Sequence, residues 1–521
     1  MAKPNILIIT ADQMRADAMG FINSEVISPN LDALAAGGFV FERAYCTSPV
    51  CTPSRASILT GRYPSNTGAW NIGVSVSETE RTIGDWLKSY QYRTVAAGKM
   101  HFRPQMRDDY TNSVQDPAVR DRVRFTDGTF YGFDEAHLTE DVPVGEYLDW
   151  VRAVAPQYAD SLGKPAGFQG DCWESEMPED YHQTRWIGQK SIEAIEKHDT
   201  SQPLFLWTSF VDPHHPFNPP KRYADLYEGR PISLPEPLAG EHDLRPEHLR
   251  YQRLPNQDNG SWLDGYWPGG GQERAMSEDR LRHIRRNYYA MITFFDEEIG
   301  RIMQALERKG MRDNTLIVFT ADHGEWLGDH GLLTKGPWLY ESLVRVPMIF
   351  HGPSLRNGCK SLALMENADI LPTLLDLIGV PIPYGIQGIS QKSVLQTQTD
   401  DASTTSGVRD TAMTSSVRES ADTSSVRDTA ITSSVRNSAI TSYDAHDRGI
   451  HVKSLRTDRY KLVVFAGETY GELYDLANDP AENHNCFFDP DYQAVRSQLF
   501  EIFTHRLIQD QDPLPERKAL W

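Results

Sequence analysis

Residues 5–13 read NILIITADQ and residues 315–323 read TLIVFTADH. Each is a continuous apolar run, rich in branched side chains, that ends in residues able to bind a cation or move a proton. Two further segments share this design. RTVAAGKMHF (93–102) runs into Lys99 and His101, and PLFLWTSFVDPHHPF (203–217) runs into Asp212, His214 and His215. An unbroken apolar run suits a strand buried on both faces, as in a parallel sheet with helices on each side. Ligands gather outside the carboxyl ends of such strands. Four strand ends that offer Asp, His or Lys therefore predict one convergent site.

Helical segments alternate with these runs. Leu281, Ile284, Tyr288, Ile292, Phe295, Ile299, Ile302 and Leu306 recur at three-and-four spacing, which predicts an amphipathic helix from Ser277 to a stop at Gly310. At 521 residues the chain exceeds one ordinary domain. The pattern predicts an α/β fold, a large, mostly parallel mixed sheet sandwiched by helices, spanning 1–395. HVKSLRTDRYKLVVF and GELYDLANDP read as antiparallel strands, so a small C-terminal antiparallel α+β subdomain is expected over 443–521. Between them, 396–442 carries a nonapeptide repeat, TSSVRDTAI then TSSVRNSAI, with Arg409, Arg418, Arg427 and Arg436 nine residues apart. Its Ser/Thr-rich composition cannot build a core alone and reads as a low-complexity insertion. Residues 103–185 and 222–275 lack periodicity and are expected to form long loops over the strand ends, where substrate selection usually sits.

A formal net charge of −20 argues against nucleic acid and against anionic membrane surfaces as partners. No apolar stretch is long enough to span a bilayer. The N-terminus reads as a first strand rather than a secretory signal, so the expected compartment is the cytoplasm. Five cysteines, Cys46, Cys51, Cys172, Cys359 and Cys486, are too few and too scattered for a disulfide framework. Cys51 is the unusual one. Pro53 suits the first turn of a helix, which would put Cys51 at a helix N-terminus, where the dipole favours an anion. No Cys-His-Asn arrangement of a thiol hydrolase accompanies it, and the Asp/His pairs look like metal ligands.

CTPSRASILTGR (51–62) resembles the signature of the type I sulfatases of the alkaline phosphatase superfamily, Cys-x-Pro-Ser-Arg followed by Thr-Gly-Arg. The similarity extends to ADQMRADAMG, GKMHF, DPHHPF, TADHGEWLGDHGLLTKGPWLYES and ELYDLANDPAE, most like arylsulfatase and choline-sulfatase members. The resemblance implies an alkaline-phosphatase-like fold and hydrolysis of a small sulfate ester. It implies conversion of Cys51 to formylglycine (3-oxoalanine) by a formylglycine-generating or anaerobic maturation enzyme. The hydrated aldehyde would attack sulfur through one hydroxyl and shed sulfate through the other.

Carried across position by position, the resemblance implies metal ligation by Asp12, Gln13, Asp322 and His323 together with Cys51. Arg55 would steady the hydrate. Lys99 would bind sulfate or the diol, and His101 would take the proton for elimination. His214 and Lys335 would face the leaving oxygen, and Asn71 would touch the sulfate. Of the adjacent pair His214 and His215, an extended segment would turn only one inward, and the His-x-Pro pattern points to His214. The commonest sulfatase pattern has a second aspartate at Gln13 and an asparagine at His323. That departure leaves Ca2+ as first expectation, with Mn2+, Mg2+ and Fe2+ as alternatives. It also resembles the phosphonate monoester hydrolase branch, so a phosphonate or phosphate diester hydrolase is the second expectation, and an unmatured, non-catalytic binding protein the third. Relatives often associate, so a homo-oligomer is possible.

Overall fold

The computed structural model describes residues 3–103, 129–141, 143, 145–162, 172–236, 240–241, 245–246, 277–396, 436–446 and 449–511. The apolar runs become the middle of a nine-stranded sheet. Its strands are β1 (Asn5–Ala11), β2 (Phe39–Tyr45), β3 (Arg93–Gly98), β4 (Glu135–Leu138), β5 (Leu204–Ser209), β6 (Thr315–Ala321), β7 (Arg345–Val346), β8 (Met348–His351) and β9 (Cys359–Glu366). They lie in the order β4-β3-β5-β1-β6-β8-β2-β7, with β9 also on β2. From β4 to β6 every pairing is parallel, whereas β8 runs antiparallel to both β6 and β2. Every residue of β1, β5 and β6 is buried, which explains why these strands show no polar alternation.

Register positions the site. Thr10 pairs with Ser209 on one side and Thr320 on the other, and Ser209 also pairs with Gly98. The four chains thus leave the sheet at one level, and Asp12, Lys99, Phe210 and Asp322 emerge nearby. Gly98 makes this close approach possible. It has φ +103°, and a Cβ there would lie 1.9 Å from the Ser209 carbonyl oxygen.

The long helix forms over Glu278–Arg308, with the Ser277 hydroxyl accepting from the Arg280 N–H at 3.2 Å and Gly310 beyond it at φ +68°. The helix Cys51–Thr60 is buried at all ten positions and ends on left-handed Gly61. Behind it, Asn367 donates to Ser54 Oγ at 3.2 Å and to the carbonyl oxygens of Ala321 and Asp322.

The C-terminal unit is a four-stranded antiparallel sheet of β10 (Ala439–Ala445), β11 (Ile450–Arg456), β12 (Tyr460–Phe465) and β13 (Gly471–Asp475). The helix Gln493–Gln509 covers it, burying Leu499 and Phe503 against Ile440, Leu455, Leu462 and Leu473.

Three expectations need correction. The C-terminal sheet begins at Ala439, inside the stretch assigned to the repeat. The last repeat copy also carries a structural residue: Arg436 is fully buried, 3.0 Å from Glu366 and paired with Asp369. The earlier copies lie outside the described residues. Finally, 103–185 is not all loop. Among its described residues are edge strand β4 and the helices Glu146–Val154 and Pro156–Leu162. EAHL is short and charged, as sheet edges tend to be, and so carries no apolar run to betray it.

Candidate active site

Cys51 occupies the first position of its helix, with Val50 as N-cap in extended conformation. Its Sγ lies 2.9 Å from Lys335 Nζ, 3.2 Å from His323 Nε2 and 3.7 Å from Asp12 Oδ1. Asp12, Gln13, Cys51, Arg55, Lys99, Asp322 and His323 are each fully buried. Burial alone would raise the thiol's pKa, but Lys335, Lys99 and His323 more than offset it, and the thiol titrates well below its ordinary range. Cys46 is also buried but has no such cations, and burial pushes its thiol up. All five cysteines are free.

Asp12, Cys51, Asp322 and His323 each offer a ligand atom within 4.8 Å of the others. His323 Nδ1 donates to the Gly324 carbonyl oxygen at 2.9 Å, which fixes the ring and turns Nε2 toward Cys51. Asp322 Oδ1 accepts the backbone N–H groups of Gln13 and His323 at 3.0 and 2.9 Å. Gln13 uses its amide nitrogen on Glu325 and on His215 Nδ1, 3.2 Å away. Its Oε1 is buried without a hydrogen-bond partner. Burial and the Asp322 charge push the Asp12 carboxyl up. An orphaned amide oxygen, an imidazole nitrogen aimed into the cluster and two crowded carboxylates fit a divalent cation.

Arg55 spans the two carboxylates. Its donors go to Asp322 Oδ2 (2.8 Å), Asp12 Oδ2 (3.2 Å), Ser209 Oγ (2.7 Å) and the Lys99 carbonyl oxygen (2.9 Å), with no hydrogen bond to Cys51. It positions the two carboxylates, a task that suits a rigid planar fork. Asn71 is not part of the cluster. Its amide donates to the Asp444 carbonyl oxygen at 2.6 Å, tying its loop to β10. His214 and His215 both face the site, because Val211–His214 closes a turn (His214 N–H to Val211 O, 3.0 Å) instead of running extended. Their rings stack with centroids 4.1 Å apart. Burial, reinforced by His214, holds the His215 imidazole far below its usual range, so it is neutral.

Lys99 Nζ is buried between Asp12 and Asp141, and those carboxylates hold its pKa well above the ordinary lysine value against the effect of burial. Asp141 Oδ2 lies 3.8 Å from His101 Nδ1 and 4.0 Å from His214 Nε2. Sequence reasoning missed Asp141 and Glu325. Glu325 accepts from the Leu327 N–H at 3.0 Å and from the Thr334 N–H, so it fixes both Gln13 and the loop bearing Lys335. An acid three residues after Asp322 was a usable signal for Glu325. LTEDVP gave none for Asp141.

The sequence model of the sulfatase family matches residues 4–380, and that of the N-sulphoglucosamine sulphohydrolase C-terminal region matches 433–509. An arylsulfatase of Clostridium perfringens is 34% identical over 76% of this chain and 79% of its own. A choline-sulfatase of Rhizobium meliloti is 30% identical over 73% and 68%. The crystal structure of the phosphonate monoester hydrolase of Agrobacterium radiobacter superposes with a TM-score of 0.76 at 26% identity, covering 98% of this chain and 96% of the other. The chain belongs to the sulfatase family and is a sulfate-ester hydrolase of the alkaline phosphatase superfamily.

Proposed function

We propose that this enzyme hydrolyses a small sulfate monoester with Cys51, converted to formylglycine, as nucleophile and one divalent cation, calcium first. The observation that carries this is the convergence of Lys99, His101, His214 and Lys335 beside Cys51. Cys51 Sγ stands in for a hydroxyl oxygen of the aldehyde hydrate. The hydrate supplies an oxygen nucleophile toward sulfur and a second hydroxyl whose collapse releases sulfate. Asp12, Gln13, Asp322 and His323 would hold the cation, which lowers the pKa of a coordinated hydroxyl and neutralises ester oxygens.

The chain's own groups do the rest. Arg55 aims Asp12 and Asp322 and favours the ionised form of Asp322. Lys335 and Lys99 stabilise negative charge beside the nucleophile, in a buried setting where each charge counts for more than in water. His214 lies on the less buried side and is placed to protonate the leaving oxygen, while His101 accepts the proton released in elimination. The helix Cys51–Thr60 is wholly buried, so the maturation enzyme must reach this segment before the core closes.

Gln13 and His323, together with the likeness to a phosphonate monoester hydrolase, favour a second activity on phosphonate or phosphate diesters. Both reactions place negative charge on equatorial oxygens. The test is kcat/KM for an aryl sulfate against an aryl phosphonate monoester. Preference for the sulfate supports the first reading, and a reversed preference replaces it with the second.

A further inference from the structure

Asp141 is an acid in a place built for an anion. Its carboxylate sits on Lys99 Nζ, with His101 Nδ1 at 3.8 Å and His214 Nε2 at 4.0 Å. One of its oxygens lies within 4.8 Å of both Cys51 Sγ and a His214 ring nitrogen. These are the groups that would receive the charged end of an ester. Lys99 already has a partner in Asp12, and Arg55 serves both Asp12 and Asp322, so Asp141 is not needed to neutralise either. His101 Nδ1 is buried without a hydrogen-bond partner while facing this carboxylate.

The backbone leading to Asp141 is pinned. Thr139 N–H donates to the Gly98 carbonyl oxygen at 3.3 Å, and Gln183 Nε2 donates to the Glu140 carbonyl oxygen at 2.8 Å. Glu140 Oε1 in turn accepts the His101 N–H at 3.0 Å. Asp141 is the first residue past these anchors, and its side chain is 18% exposed where those of Lys99 and Asp12 are 0%. Asp141 is thus the most exposed member of this cluster.

We propose that Asp141 is an internal occupant of the anion subsite, which the ester's charged group must displace; this rests on the reading that Lys99, His101 and His214 bind that group. A sulfate monoester and a carboxylate each carry a single negative charge, so the exchange leaves the pocket's net charge unchanged. Its function would be selectivity. A small free anion must compete with the tethered carboxylate, whereas an ester adds the contacts of its alcohol half. Apparent affinity falls by the fraction of time the subsite is open, so a subsite held nine-tenths of the time costs about tenfold.

The test is calorimetric titration of inorganic sulfate into the mature, metal-loaded wild-type enzyme and its Asp141→Asn and Asp141→Ser variants. Sulfate is expected to bind about tenfold tighter to either folded variant. Unchanged or weaker binding would overturn the proposal, because Asp141 would then be holding Lys99 in place for the anion. Calorimetry needs no turnover, which keeps the two readings separable. Tighter binding without ester hydrolysis retains the occupant and removes the sulfatase mechanism, and hydrolysis with unchanged sulfate affinity does the reverse.

Discussion

Lys335 Nζ lies 2.9 Å from Cys51 Sγ, although 284 residues separate them in sequence. The same ammonium is 3.2 Å from His323 Nε2, so one lysine touches both the nucleophile position and a metal-ligand position. Removing it takes away charge stabilisation at the reacting centre. Lys335→Ala is expected to lower kcat/KM by about 10²–10³-fold, the usual effect of deleting one such donor. Steady-state kinetics on an aryl sulfate would check this, and a loss below tenfold would assign Lys335 to the surround.

Glu325 links Gln13 to the loop that carries Lys335. Partners that orient metal ligands typically contribute 10–100-fold in affinity. Glu325→Ala is therefore expected to weaken divalent-cation binding by about that factor, and Glu325→Gln by less. Titrating metal-stripped protein with calcium and with manganese reads this directly. Equal affinity in wild type and variant would count against the Gln13 ligand.

Asp212 gives a pH signature in stability. Burial raises its carboxyl from 3.8 to about 7, partly countered by the hydrogen bond from Thr184 Oγ1 at 2.7 Å. Between roughly pH 4 and 7 the native state keeps a proton that the unfolded chain has released. Stability therefore falls as pH rises through that window and levels off above it. Asp212→Asn should flatten this part of the profile. Melting temperatures of both proteins at about pH 4.5 and 7.5 would show it, and parallel curves would refute it.

Arg436 joins the C-terminal unit to the body of the enzyme through Glu366 and Asp369, both buried with it. Ile440 N–H also donates to Glu366 Oε1 at 2.7 Å. Arg436→Met leaves buried Asp369 without its arginine and Glu366 with only Arg506, 3.3 Å away; breaking a buried pair costs about 3–5 kcal/mol, so the variant should be strongly destabilised. Deleting 403–432, which spares Arg436, should leave both melting temperature and turnover near wild type. Denaturant unfolding of the two proteins separates the arginine's role from that of the repeat.

What the sequence revealed follows from what each feature needs. β1, β5 and β6 are buried on both faces, and such strands announce themselves as apolar runs whatever packs around them. Asp12, Asp322, His323 and Lys99 directly follow such strands, so locating the strand located the residue. Edge strand β4 carries no such run, and Asp141 just beyond it belongs to the site only because β4 pairs in register with β3, Leu138 beside Gly98. The extended reading turns only one of His214 and His215 inward, and a turn in its place brings in both. Arg55 illustrates a different limit. Its type was readable, but its burial and the acceptors its fork chooses depend on the Asp12–Asp322 spacing that only the folded sheet sets.

The central claim is that residue 51 acts as an aldehyde hydrate. It is tested most directly by mass spectrometry of the tryptic peptide Ala44–Arg55, from protein made in its native host and shown to hydrolyse a sulfate ester. Cys46 in the same peptide serves as the internal unmodified control. The account predicts an aldehyde at position 51 and a thiol at position 46. Plain thiols at both positions in an actively hydrolysing preparation would contradict it.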